Sequence, residues 1–270
     1  MKRHRLSVGV LGRIGLGRRT ARSECKRIDT KIKDPWDVQR DAKATILDLK
    51  QNCEDRDRAV HDLAHGPGAD ESSRRMLRST IQDRRLDQGH RHAMAVEYRR
   101  CRPEEASEAL QRFALDSANR PFLRLEAARL ISVESQRRVT ILVIATAVDV
   151  DAECRLQAAI ALKPMDVHDA DEAFKVLAKD AEVGFEIRLQ AVLQWAPINR
   201  TAAIETLWQF VGAVDAPWIW RIAAAYELVM LRIRAAYKVL HEWVDNRDLP
   251  EEVRAYSLAT LRRLDAQRAV

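Results

Sequence analysis

The strongest constraint on this chain is an arginine that returns about every 33 residues, followed each time by small apolar side chains three and four positions later. Five copies align closely: Arg124-Leu-Glu-Ala-Ala-Arg-Leu-Ile, Arg155-Leu-Gln-Ala-Ala-Ile-Ala-Leu, Arg188-Leu-Gln-Ala-Val-Leu-Gln-Trp, Arg221-Ile-Ala-Ala-Ala-Tyr-Glu-Leu and Arg254-Ala-Tyr-Ser-Leu-Ala-Thr-Leu. Their anchors are spaced by 31, 33, 33 and 33 residues. A sixth copy, Arg91-His-Ala-Met-Ala-Val-Glu-Tyr, stands 33 residues before Arg124, and a weaker seventh, Arg56 with Ala59, Val60 and Leu63, stands 35 before Arg91. A period of this length belongs to small supersecondary units that cannot bury their apolar faces alone and do so by stacking.

Residues three and four apart share a helix face, so the small pair marks a contact where a second helix can approach closely. The larger residue at plus seven, as in Ile131, Leu162, Trp195, Leu228 and Leu261, fills the gap beside it. Between the anchors lie further segments with helical apolar spacing: Ala106, Leu110 and Phe113; Val139, Leu142 and Val143; Ala173, Val176 and Leu177; Ala203, Leu207 and Phe210; Ala236, Val239, Leu240 and Trp243. Each repeat therefore reads as two helices. Start signals agree, with Pro35, Pro103, Pro217 and Pro250 at first-turn positions and Asp34, Asn199, Asp215 and Asp248 nearby. Ala223–Val244 contains no breaker and reads either as one long helix or as a tight corner. No alternating pattern is long enough to propose a sheet.

With the acidic lead-ins Asp151-Ala-Glu-Cys-Arg155 and Glu251-Glu-Val-Arg254, the pattern resembles the short HEAT-like repeats of the armadillo superfamily, including the phycobilisome-lyase type. The resemblance covers roughly residues 86–265 and extends weakly to 34–65. It implies an all-α, right-handed α-solenoid of about six or seven HEAT-like helical hairpins, with residues 34–85 as degenerate N-terminal repeats and 86–270 as the regular array. It also implies that Arg91, Arg155, Arg188, Arg221 and Arg254 form a structural ladder between repeats. The acid four residues ahead is missing at Arg124 and Arg188, which interrupts that pattern.

Charge matters here because a basic protein invites a nucleic-acid reading, and the net +6 is not spread evenly. Residues 1–33 hold 11 basic and 2 acidic side chains, and the remainder is balanced and slightly acidic. The first 33 residues read as a flexible basic arm, an organellar transit peptide or a misassigned start. Within them Gly12-Arg-Ile-Gly-Leu-Gly17-Arg18-Arg19 has the glycine spacing of a phosphate loop but lacks its lysine, its hydroxyl residue and a strand before it. Cys25, Cys53, Cys101 and Cys154 are too widely spaced for a disulfide framework or a metal knuckle, so a reducing cytoplasm is the expected compartment. No apolar run is long enough for a membrane span.

Candidate sites are few. His61 and His65 sit at i and i+4, the spacing of zinc-binding helices, but His65 precedes the helix-stop pair Gly66-Pro67 and no third ligand is specified beyond a remote His90 or His92. Neither a metal nor a cofactor is therefore expected. HEAT-like deoxyhypusine hydroxylases bind iron through several His-Glu pairs, whereas this chain has only His241-Glu242, which excludes that enzyme. Positions plus two and plus six from each anchor are expected to line the concave groove. They give Glu97, Glu126, Gln157, Gln190, Glu227 and Tyr256 as interface candidates and carry no basic stripe for phosphates. Trp195, Trp208, Trp220 and Trp243 read as core, and Trp218 as an exposed edge aromatic suited to anchoring a partner. The expected role is a non-catalytic scaffold or adaptor that holds a peptide or protein in a neutral-to-acidic groove. The alternative is a nucleic-acid-binding solenoid, resembling the HEAT-like alkylpurine DNA glycosylases, that uses residues 1–33 with Trp218 and Asp215.

Overall fold

A computed structural model of the protein describes residues 35–48, 53–66 and 69–268, and among them there are fourteen helices and no strand. In chain order these are α1 (Pro35–Leu47), α2 (Cys53–His65), α3 (Glu71–Gln82), α4 (Gln88–Cys101), α5 (Pro103–Leu115), α6 (Pro121–Arg129), α7 (Glu134–Thr146), α8 (Ala152–Leu162), α9 (Val167–Lys179), α10 (Phe185–Trp195), α11 (Arg200–Gly212), α12 (Trp218–Met230), α13 (Arg234–Asp245) and α14 (Glu251–Arg268). Met1–Asp34 and Pro35–Val270 are separate units, and the description that follows concerns the second. Each helix packs on its neighbour in sequence. The even-numbered helices also touch their next-but-one neighbours all the way from α2 to α14, and the odd-numbered ones do so from α3 to α9. The repeat arginines all lie on even-numbered helices.

Local chemistry fixes the ends of these helices. The acids four residues ahead of Arg91 and Arg155 are N-caps: Asp87 accepts from the His90 amide at 3.1 Å and Asp151 from the Cys154 amide at 2.9 Å. Asp166 accepts from the amides of His168 and Asp169, and Asn199 from that of Ala202. Pro103 and Pro121 occupy the first turns of α5 and α6, where a missing amide costs nothing. α2 stops at His65, where the Gly66 amide bonds back to the Asp62 carbonyl at 2.8 Å. A Cβ on Gly66 would meet that carbonyl oxygen at 2.5 Å, so the close approach needs glycine.

The unbroken stretch Ala223–Val244 is a corner and not one long helix. Arg232 adopts φ 65°, the left-handed conformation that ends many helices. Its amide bonds to the Val229 carbonyl at 2.8 Å, and the Ile233 amide reaches the Leu228 carbonyl at 3.0 Å. A non-glycine residue in this conformation costs about 1 kcal/mol, and here it turns the chain without a glycine or proline that the sequence could advertise.

The core follows the repeat. Ala127 and Ala128, Ala158 and Ala159, Ala191 and Val192, and Ala224 and Ala225 are all buried, as are the plus-seven residues Ile131, Leu162, Trp195, Leu228 and Leu261. Two expectations need correction. In α7 the sequence spacing placed Val139 and Val143 inward, yet both are exposed and the buried face is Thr140, Ile141, Ile144 and Ala145. With apolar residues around most of that helix, periodicity could not choose the face. Of the four tryptophans assigned to the core, only Trp195 is fully buried, while Trp208, Trp220 and Trp243 pack against the core from its margin. The Trp195 indole N–H donates to Asp171 at 2.6 Å, which allows so large a polar-tipped ring to sit inside.

Candidate protein-binding face and the arginine ladder beside it

Each repeat arginine from α4 to α12 does the same first task. The guanidinium donates to the backbone carbonyl ten residues earlier: Arg91 to Ile81 (3.4 Å), Arg124 to Ala114 (2.9 Å), Arg155 to Ala145 (3.5 Å), Arg188 to Ala178 (3.0 Å) and Arg221 to Val211 (2.9 Å). In every case the acceptor is the penultimate residue of the preceding odd-numbered helix. The last carbonyls of a helix lack intrahelical partners and carry the negative end of its dipole, so a cation there satisfies both demands.

The other side of each guanidinium is met in one of two ways. Arg124 and Arg155 pair with an aspartate 25 residues ahead, Asp149 at 3.1 Å and Asp180 at 2.7 Å. Arg188 and Arg221 instead lie between aromatic rings at minus three and plus 22. Arg188 is 4.7 Å from Phe185 and 4.8 Å from Phe210, and Arg221 is 3.8 Å from Trp218 and 5.7 Å from Trp243. Arg91 combines both modes, with Phe113 at 5.2 Å and the Asn119 side chain at 2.5 Å. Arg254 breaks the series: it has no printed carbonyl bond of this kind, and its Nε is buried without a partner.

These contacts redefine several residues singled out from the sequence. The acidic lead-in caps its own helix and does not pair with the arginine, so its absence before Arg124 and Arg188 leaves the ladder intact. Arg124 is a full member of the ladder and was not assigned to it. Trp218 is half-buried, edge-on to Trp243 at 5.4 Å and stacked under Arg221, so its ring is already occupied by packing. Asp215 is exposed and close enough to Arg188 to favour the charged guanidinium, while burial pulls in the opposite direction and dominates.

The six interface candidates all fall on even-numbered helices: Glu97 on α4, Glu126 on α6, Gln157 on α8, Gln190 on α10, Glu227 on α12 and Tyr256 on α14. Gln157, Gln190 and Tyr256 are exposed, and the three glutamates are half-buried. Glu97 pairs with Arg100 at 2.8 Å and Glu126 with Arg129 at 2.9 Å. Burial raises the pKa of the Glu227 carboxyl, with Arg263 opposing that shift. One helical turn before the plus-two position lies a row the sequence reading missed. At minus two stand Gly89, Phe122, Glu153, Glu186, Ile219 and Glu252, all exposed. The offset of four was the available signal, because it continues the same helix face. Taken over the six repeats from Arg91 to Arg254, the minus-two, plus-two and plus-six positions hold six glutamates and no lysine or arginine.

Other candidates are dispersed. The His61 and His65 rings lie 5.9 Å apart, and His65 Nε2 bonds to the Cys101 carbonyl at 2.5 Å. His90 faces the Ile46 carbonyl at 3.4 Å, and His92 packs 5.8 Å from Phe113. Among the described residues no group of three or more His, Cys, Asp or Glu is arranged to hold a metal ion. Burial pushes the Cys154 thiol up to about 11, so it is not a thiolate at neutral pH. His241 and Glu242 are exposed on α13. Among the described residues no helix is long and apolar enough to cross a membrane. The basic segment 1–33, with Gly12–Arg19 inside it, lies outside the described residues.

No protein-family description matches the sequence, and no curated protein matches it. Among solved structures, a chain described under "Computational Design of Self-Assembling Cyclic Protein Homooligomers" aligns over 85% of this chain and 80% of its own length. It is 15% identical with a TM-score of 0.14, a likeness too slight to carry any argument about fold or function.

Proposed function

We propose that this protein is a HEAT-like α-solenoid that serves as a non-catalytic scaffold, holding a peptide or protein partner along the face of its even-numbered helices. The order of helix contacts supports the architecture. Stacked hairpins touch only neighbours and next neighbours, and a layer that stays in contact from α2 to α14, while the opposite one separates after α9, suits the inside of a bend. The observation that carries the function is the row of minus-two, plus-two and plus-six positions. It joins six glutamates to glutamines, small residues and the exposed Phe122 and Ile219. Such a surface repels a phosphate backbone and offers hydrogen-bond acceptors and apolar contacts to a polypeptide. Converging nucleophile, base and oxyanion donors are the signature of a catalytic site, and the titratable groups described above do not form such a set.

The test uses photo-crosslinking side chains placed at Gln157 and Gln190, with a control at exposed Val167 on α9. A partner captured in native lysate from the first two positions and not from the third is the expected result. The double variant Glu153→Arg, Glu186→Arg should abolish that capture. Equal capture from all three positions, or capture unchanged by the double charge reversal, removes the groove from consideration.

A further inference from the structure

The helix α14 exposes a face that every comparable helix before it buries. Position plus one is Leu125, Leu156, Leu189 or Ile222 in the preceding repeats, with exposures of 2%, 2%, 7% and 1%, but its counterpart Ala255 is exposed. Position plus four is fully buried in Ala95, Ala128, Ala159, Val192 and Ala225, whereas Leu258 is 37% exposed. Position plus three behaves otherwise, since Ser257 is as buried as Ala127 or Ala224. Plus three therefore faces its own hairpin, and plus one and plus four face whatever follows. Among the described residues no hairpin covers them.

We propose that this edge is a self-association surface, on which α14 of a second copy packs antiparallel about a two-fold axis. The argument is one of self-complementarity. A two-fold contact brings residue i against residue j and residue j against residue i, so the same patch must satisfy itself. With the axis passing between Tyr256 and Ser257, Ala255 meets the second copy's Leu258, pairing small with large as close helix packing requires. The same register sets Glu251 against the second copy's Arg262. Both residues are exposed, lie on the uncovered side of the helix and have no ion-pair partner among the described residues. Apolar contacts thus sit at the centre and opposite charges at both ends. A parallel arrangement would place like charges together.

An 18-residue helix is about 27 Å long. One helix pair gives an interface below about 1,200 Å² in total, so the dimer forms reversibly and its population follows concentration.

The experiment is sedimentation velocity of the full chain over a concentration series. The expected result is a shift from 30.9 kDa toward twice that mass as concentration rises. Leu258→Glu and Arg262→Glu should each weaken the dimer by about tenfold or more, because an apolar contact is lost or two attractions become repulsions. Glu251→Arg should do the same. An equimolar mixture of the Glu251→Arg and Arg262→Glu proteins should dimerise again, since each then presents the charge that the other lacks. Recovery in the mixture also shows that both variants are folded. A chain monomeric at every concentration overturns the proposal, as does a dimer indifferent to these substitutions or a mixture that fails to recover.

Discussion

Replacing Asp180 with asparagine isolates one rung of the arginine ladder. The Arg155 side chain is 3% exposed, and its Nη1 donates to Asp180 at 2.7 Å. The substitution keeps shape and one acceptor oxygen but removes the charge, leaving a buried guanidinium with a neutral partner. Charge-assisted hydrogen bonds contribute about 1.5–3 kcal/mol, and Asp180 retains 20% exposure, so the expected loss is about 2 kcal/mol. Asp149 makes the matching pair with Arg124 at 3.1 Å but is 51% exposed, so solvent screens it and Asp149→Asn should cost about 1 kcal/mol or less. Urea unfolding followed by circular dichroism gives both values, and hydrogen exchange at α8 and α10 localises them. Arg155 holds the Asp180 carboxyl below its ordinary value of 3.8. Folding then favours the ionised form, so the contribution is complete at neutral pH and disappears as pH falls through the lowered folded-state value. The wild-type advantage over Asp180→Asn should accordingly persist down to about pH 4 and close below it. Equal costs at the two aspartates, or a gap at Asp180 smaller than about 0.5 kcal/mol, would refute the assignment of the buried pair as a structural rung.

Trp218→Ala should destabilise the protein by about 2 kcal/mol through lost packing and the lost contact with Arg221, while crosslinking from Gln157 stays unchanged; a normal urea midpoint with abolished capture would return Trp218 to the role of a partner anchor. Gly66→Ala places a methyl 2.5 Å from the Asp62 carbonyl oxygen and should cost about 1–3 kcal/mol, measured as a lower thermal midpoint. Burial holds the His92 imidazole below its ordinary 6.5, with the Glu126 charge opposing, and its Nε2 is buried without a partner. The unfolded chain therefore takes up the proton first, and stability should decline as pH falls below about 6.5. A His92→Gln protein should show a shallower decline, and identical pH profiles would exclude His92 as the source.

The sequence made the helical repeat visible because the arginine and its small neighbours are close in the chain and share one face. It also located the even-helix stripe, since plus two and plus six follow from helix geometry alone. What supports the arginines was not legible in the same way. Their carbonyl acceptors ten residues earlier have no side-chain signature, and Asp149, Asp180, Phe210 and Trp243 lie a whole repeat-length ahead, where the chemistry alternates between charge and aromatic rings. Trp218 and Phe185 looked like edge aromatics because the pattern shows that they align but not that a guanidinium lies against each. The α12–α13 corner escaped for another reason: Arg232 takes a conformation that its residue type does not announce. Exposure of Leu258 was invisible too, since its position in the motif is identical to that of its buried counterparts.

The missing clamp at Arg254 has a mechanical consequence. From Arg91 to Arg221, each guanidinium fastens the end of the helix before it, and the pair or stack on its other side fastens a segment of the next repeat. A load applied to one repeat is thereby shared with those on either side. The α13–α14 hairpin has no fastening of its own at this point, so the zipper opens from that end, and whatever docks against α14 determines how far the opening travels.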